Sequence, residues 1–433
     1  MSRAPLTRDA RRVLLAQALR ALAYGFGSVL LGVTLDERGL SSTEAGLVIA
    51  AVVAGTVIAS LLIGRYADRI GRRRCYIALY VLLGAVGVAF ALSDAAWLLI
   101  LFALTGALST EVVESGPFTS LEQTMLAGEL SGRERVRGFG VYNAVASAFG
   151  SLGALAAGSL SLVHDWWSGA PANGRFFLMF VPVALAGALV ARSLSDNIEL
   201  ATQDDTPIVS DQPTRPAARL DVSRPVVVRL AGLFALDSFG GGFVVQAFIA
   251  YWLAQRFGAS LGTVGVVFFA VGVLQTGSFL VAPRLAERFG LLNTMVFTHL
   301  PSNLLLASIA FAPTLGIAVG LLLARTVLSQ MDVPTRQAYV MALVTPEERT
   351  AAAAYTNTAR YVVRPIGPLL AGVAESIALG FPFLIAGSIK SVYDVILWRW
   401  FSHVALPDEA ARTHRQLPAD ASGVARPTGK DSR

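Results

Sequence analysis

The chain has 433 residues, 54% of them hydrophobic and only 15% charged, with a mean hydropathy of +0.60. A soluble chain carries nearer a quarter charged residues, so these values exclude an ordinary soluble globule. The single cysteine, Cys75, excludes an intramolecular disulfide and a multi-cysteine metal cluster, and the net charge of +6 needs no nucleic acid, because the arginines fall in short loops and tails.

Apolar runs of about twenty residues, the length that crosses a hydrocarbon core of roughly 30 Å, recur along the chain. The first, 13–34, follows a basic dodecamer and is too long for the core of a cleaved leader. It is followed by 43–64, 75–93, 95–116, 136–163 and 175–194. The segment 195–224 is rich in Pro, Asp, Thr and Arg and has no apolar period, the pattern of a flexible linker. A second set follows at 226–254, 261–283, 291–312, 314–336, 351–377 and 381–401. The expected fold is an all-α polytopic membrane protein with twelve transmembrane helices. Its expected parts are a six-helix half at 1–194, a cytoplasmic linker at 195–225, a second six-helix half at 226–402 and a flexible cytoplasmic tail at 403–433.

Arginine sets the expected orientation. With the N-terminus inside, the outer loops keep only Arg38, Arg175 and Arg256, while the inner loops, linker and tail hold most of the rest. That asymmetry places both termini in the cytoplasm. Two lysines stand against thirty-three arginines, a bias that suggests a GC-rich bacterial source and hence an inner membrane.

The two sets repeat. At a constant offset of 214, Glu134-Arg135 falls on Glu348-Arg349, Asn143 on Asn357, Gly153 on Gly367 and Gly158 on Gly372. The same offset puts Glu122 on Arg336 and Glu111 on Arg325, and an offset of 219 puts "YADRIG" (66–71) over "LAERFG" (285–290). Such a run, in one order and in matching helices, points to duplicated, pseudo-symmetric halves.

Between the second and third spans lies "GRYADRIGRRR" (64–74). Gly71 permits a tight turn, and the arginines hold the hairpin inside. Asp68 either docks on the inward-facing N-terminus of the eleventh helix, whose free N–H groups attract an anion, or is a solvated loop acid. Gly64, Asp68, Arg69, Gly71 and Arg72 resemble the cytoplasmic loop signature of the major facilitator superfamily, with 284–290 as a weaker second copy. Tyr66 departs from the small or aliphatic residue usual there. The resemblance covers the twelve-span core. It implies two halves around a central cavity lined by helices 1, 4, 7 and 10, with Asp68 and its neighbours as the cytoplasmic gate of an inward–outward switch. "GPFTSLEQ" (116–123) and "DVPTRQAYVMALVTPEER" (332–349) look like a bacterial branch that includes exporters of drugs or metalloids. The Gly-Pro-x-x-Gly-Gly element of drug–proton antiporters is degraded to "GALAAG" (153–158) on helix 5. "GPLLAG" on helix 11, with Gly367, Pro368 and Gly372, is the candidate hinge.

An ionisable group near a helix centre in a bilayer costs about 2.5–3.5 kcal/mol or more, so each asks for a reason. Arg20 falls on helix 1, Glu111 and Glu114 on helix 4, Asp237 on helix 7, and Arg325 and Asp332 on helix 10. Arg325, Ser329, Asp332 and Arg336 share one helical face by spacing, as do Glu111 and Glu114. Asp237, then Glu114 and Glu111, are candidate proton carriers; Arg20 and Arg325 are candidate anion ligands. The competing reading of each is a structural ion pair between helices. Tyr24, Phe26, Phe239 and Phe243 offer either an aromatic wall or ordinary packing. On helix 12, Lys390 and Asp394 are spaced to satisfy each other, while Arg360, Arg364 and Glu375 sit on helix 11.

No nucleotide-cradling glycine loop is visible and the four histidines are scattered, so neither catalysis nor a cofactor or metal site is expected. The expected function is alternating-access transport, first as proton-coupled efflux of an amphipathic or cationic small molecule. Metalloid export and uptake of an organic anion are the alternatives within transport, and a non-transporting receptor or assembly protein is the alternative outside it. Expected partners are the solute, protons and the lipid bilayer, with the protein a monomer.

Overall fold

The computed structural model describes residues 7–112, 116–128, 132–167, 169–199, 220, 222–344 and 348–404. Expectations for Glu114, for most of the linker and for the tail beyond 404 fall outside the described residues. Helices α1 (Arg8–Glu37), α2 (Ser42–Ile70), α3 (Arg72–Leu92), α4 (Ala96–Ala103), α5 (Pro117–Gly128), α6 (Gly132–Gly158), α7 (Leu160–Trp166) and α8 (Phe180–Arg192) form the N-terminal set. The C-terminal set is α9 (Arg224–Gly242), α10 (Gln246–Phe257), α11 (Leu261–Phe289), α12 (Leu291–Ile309), α13 (Leu315–Ser329), α14 (Asp332–Leu343), α15 (Arg349–Val363), α16 (Ile366–Ile377) and α17 (Phe381–Phe401).

Among the described residues, nine helical stretches are long and apolar enough to cross a membrane. The expected spans 95–116, 291–312 and 351–377 are not among them. The first is interrupted, since α4 stops at Ala103 and 104–112 are not helical. The second is α12, diluted by Asn293, His299, Pro301 and Asn303. The third breaks between Val363 and Ile366 and carries Arg360, Arg364 and Glu375.

Local chemistry explains the element ends. Ser41 and Glu44 form a reciprocal capping box that starts α2. At the other end Gly71, at φ +103°, stops α2 and opens α3, a backbone angle that side chains disfavour. Chain direction puts Arg8, Ile70, Gly132 and Arg224 at one end of the bundle, the Gly71 end. Glu37, Ser42, Gly158, Leu261 and Ile377 lie at the opposite, Gly39 end. Leucines 61, 62, 185 and 189 are among the many exposed apolar side chains, as a lipid-facing surface requires.

The two helix sets approach closely toward the Gly39 end. A Cβ on Gly265 of α11 would collide with the Cα of Gly158 on α6, and one on Gly46 of α2 would fall 2.6 Å from the Pro368 carbonyl oxygen on α16. The hydroxyls of Ser147 and Thr276 share a 2.8 Å hydrogen bond across the same seam, and Tyr251 Oη donates to Leu40 O at 3.1 Å. Small residues let backbones meet without a trapped polar group, the packing that bilayer-embedded helices favour.

Candidate functional site

A cavity of about 210 Å³ lies between the two sets. Its N-terminal wall is the unwound stretch between α4 and α5. Non-helical backbone at membrane depth survives only where protein groups satisfy it, and here they do. Tyr24 Oη donates to Ala107 O at 2.9 Å and Arg20 Nη1 to Val112 O at 3.5 Å. The Glu111 N–H donates to Ser109 Oγ at 3.0 Å, while that hydroxyl returns a bond to Glu111 O at 3.1 Å. Gly106, at φ +72°, makes the first bend. Glu111 therefore reaches the cavity from a non-helical segment, and Glu114, expected to share its face, lies outside the described residues.

Glu111 spans the cavity: its Oε1 takes a 2.6 Å bond from Arg364 Nη2. Arg364 sits at the break between α15 and α16, so this pair ties the unwound stretch of one set to the interrupted helix of the other.

The C-terminal wall carries a buried charge network. Asp237 on α9 holds Lys390 on α17 through Oδ1 and Arg336 on α14 through Oδ2, the latter at 3.3 Å. Arg336 also donates to Asp332 at 2.9 Å, one turn away. His299 on α12 meets Asp394 on α17 at 2.9 Å, and Asn303 Nδ2 donates to the same carboxylate at 2.8 Å. Lys390 thus serves Asp237, not Asp394 as the helical spacing suggested. A partner from a neighbouring helix displaces the i, i+4 one because burial, not proximity in sequence, decides which charges must be matched.

Arg325 differs from the rest. It lines the cavity on α13 with Ser329, Asp332 and Arg336, the four positions that spacing put on one face. Its Nε is buried without a hydrogen-bond partner. Among the described residues no carboxylate pairs with its guanidinium.

A family model described as the Major Facilitator Superfamily matches residues 13–368. The chain belongs to that superfamily. An uncharacterized membrane protein of Saccharomyces cerevisiae, YJR124C, is 25% identical over 418 residues, which cover 90% of this chain and 93% of its own. Among solved structures, the inward open xylose transporter XylE from E. coli superposes with TM-score 0.68 at 14% identity, over 93% of this chain and 99% of its own. The nucleoside transporter NupG gives 0.67 at 13% over 92% and 98%, and the human organic anion transporter MFSD10 gives 0.59 at 17% over 91% and 100%. At such identities the likeness is one of fold. The protein is a multi-pass membrane protein with the fold of facilitator-superfamily transporters.

Arg360 also lines the cavity of this superfamily member, while the other described candidates lie away from it. Arg20 is sealed inside the N-terminal set. Its Nε and Nη2 meet the two oxygens of Glu122 at 3.0 and 2.9 Å, and Tyr76 and Tyr142 donate to the same carboxylate at 2.8 and 2.7 Å. Both partners are fully buried. Tyr24 stacks under the guanidinium at 5.1 Å, and Phe239 and Phe243 meet edge to face; neither pair lines the cavity. Phe26 is buried in the core.

At the Gly71 end, Asp68 pairs with Arg72 at 2.8 Å within the loop. Glu199 meets a helix N-terminus there, taking the N–H groups of Arg72 and Arg73 at 2.7 and 3.0 Å, as Glu348 takes those of Val222 and Ser223 at 3.0 and 2.9 Å before α9. Arg73 also reaches Leu194 O at 3.0 Å and Asp196 at 3.0 Å. The first linker residues are thereby packed against the loop signature, whose Gly64 and Arg69 lie in the last two turns of α2, before the Gly71 turn. On α16, Gly367 abuts Gly242 and Gly372 abuts Ser42 O, while the actual helix break lies just upstream, at Arg364–Pro365.

Proposed function

We propose that this protein is a secondary transporter that carries a small organic anion together with a proton, by alternating access between two six-helix halves that together cross the membrane twelve times. Arg325 carries the reading: a cation that faces the cavity and has no carboxylate of its own among the described residues. A buried charge without a partner is costly, and a bound anion would remove that cost. With it, five cationic side chains on the cavity wall stand against three carboxylates. The cavity falls below the roughly 300–1,000 Å³ of drug-sized pockets, which suits a small carboxylate better than a bulky amphipath.

Glu111 supplies the coupling. Its carboxylate and a solute anion compete for Arg364. Protonation of Glu111 ends that competition, so proton and anion bind together and move in the same direction. Export of an amphipathic cation, the first expectation from the residues alone, has weaker support. Each described cavity carboxylate, Glu111, Asp237 and Asp332, already faces a cation. The gate role of Asp68 and the hinge role of Gly367, Pro368 and Gly372 belong to this reading as its moving parts.

Calorimetric titration with small mono- and dicarboxylates, and with organic cations of equal size, tests it. Saturable binding of a carboxylate that weakens at least tenfold in Arg325→Gln is expected. Binding of the cations alone would overturn the reading.

A further inference from the structure

Glu375 stands outside the cavity, on the last turn of α16, in the seam that closes the Gly39 end. It is 2% exposed, and among the described residues neither carboxylate oxygen has a hydrogen-bond partner. One turn earlier on the same helix, Gly372 abuts Ser42 O at the start of α2. From α10, Gln255 Nε2 donates to Ser42 Oγ at 3.4 Å and to Tyr251 Oη at 3.1 Å, and Tyr251 Oη donates in turn to Leu40 O. These polar groups of the seam serve one another, and of them only the Ser42 hydroxyl comes near enough to act on the carboxylate, without completing a hydrogen bond to either oxygen.

Among the described residues no cation balances Glu375. The titratable groups in electrostatic range are Asp36 at the end of α1, itself an acid, and Tyr251 on α10, with Glu44 of α2 further round the same cluster. Of the other helices packed on α16, α17 offers only apolar side chains and Ser388 from Phe381 to Ile389, and Asp237 of α9 is committed to Lys390 and Arg336. An ionised carboxylate with no partner at such burial costs several kcal/mol, so the closed seam requires the protonated acid.

We propose that Glu375 is a second proton-binding site, which lets the Gly39 end close only when it holds a proton. When the helix sets part there, water reaches the carboxylate, the O–H bond breaks, and the proton leaves to the solution on that side. Reclosure takes a proton back from the same solution. The site deepens the alternating-access reading and rests on it: protonation from the Gly39 side favours the state in which the cavity faces away from that side. It acts on the seam and not on the solute, which distinguishes it from Glu111.

The test places spin labels on Ser41→Cys and Ile377→Cys, both exposed, in a Cys75→Ala background reconstituted in lipid. Distances are measured from about pH 5.5 to about pH 8.5, a window around physiological pH. The expected result is a seam that is closed at low pH and opens as pH rises, with the open-to-closed ratio changing about tenfold or more. Glu375→Gln is expected to stay closed throughout. Asp36→Asn, which removes the neighbouring acid and leaves Glu375 in place, is expected to keep the response and move its midpoint to lower pH. A seam blind to pH in the parent, or a response that survives in Glu375→Gln, would overturn the proposal. Proton-coupled uptake is read in the same preparation. A pH-responsive seam without proton-coupled uptake contradicts the functional reading and supports this one; coupled uptake with a pH-blind seam does the reverse.

Discussion

Glu122 and Arg336, which correspond at the 214-residue offset, anchor two buried ion pairs of opposite polarity. Glu122 on α5 holds Arg20 of α1, and Arg336 on α14 holds Asp237 of α9. The N-terminal pair is closed off and fully hydrogen-bonded. The C-terminal pair stays on the cavity wall, where Lys390 and Asp332 extend it. One arrangement thus serves as a brace on one side and as part of a site on the other.

The brace has a measurable consequence. Removing one member of a buried pair leaves the other charge uncompensated, at a cost of about 3–5 kcal/mol. Arg20→Gln and Glu122→Gln are each expected to lower the melting temperature in detergent sharply, and the double variant to lose less than the sum. Additive losses would show that the two side chains do not act as a pair.

Protons and anion affinity are linked through Glu111. Because ionised Glu111 occupies Arg364, affinity for the anion should fall as pH rises, and Glu111→Gln should bind with little dependence on pH. Titrations at several pH values check this. An affinity that rises with pH, or a pH dependence unchanged in the variant, counts against the competition.

Gly265 has no room for a side chain beside Gly158. Gly265→Val should hold the Gly39 end apart and abolish uptake. With Cys75 removed, a cysteine at Ser329 in the cavity should then react with a membrane-impermeant thiol reagent supplied from the Gly39 side. Normal uptake by Gly265→Val would show that the close approach is dispensable.

Glu199 caps α3 through two N–H groups. Glu199→Gln keeps the shape and loses the charge that suits a helix N-terminus, so a cost of about 0.5–2 kcal/mol is expected. Hydrogen exchange at Arg72 and Arg73 should rise in that variant while exchange in α17 stays unchanged.

The residues that spacing could reach were legible in the sequence. Arg325, Ser329, Asp332 and Arg336 line one wall because each step of three or four residues returns to the same helical face, even across the turn at Gln330–Met331. Partners on other helices were not legible. Lys390 lies one turn from Asp394 in the sequence, yet three helices meet around it and Asp237 takes it. His299 and Glu199 gave no sequence signal of their own. Glu122 did give one, because the repeat set it opposite Arg336. The unwound stretch at 104–112 was hidden by its apolar composition, although Gly106 and Ser109 are turn residues within it.

The most direct test is uptake into proteoliposomes with a trapped pH indicator, comparing the intact protein with Arg325→Gln. Addition of the carboxylate that binds the intact protein should acidify the lumen as the solute enters, and the variant should show neither event. Acidification absent during solute entry, or a proton response to organic cations with none to carboxylates, would contradict anion–proton transport through this cavity.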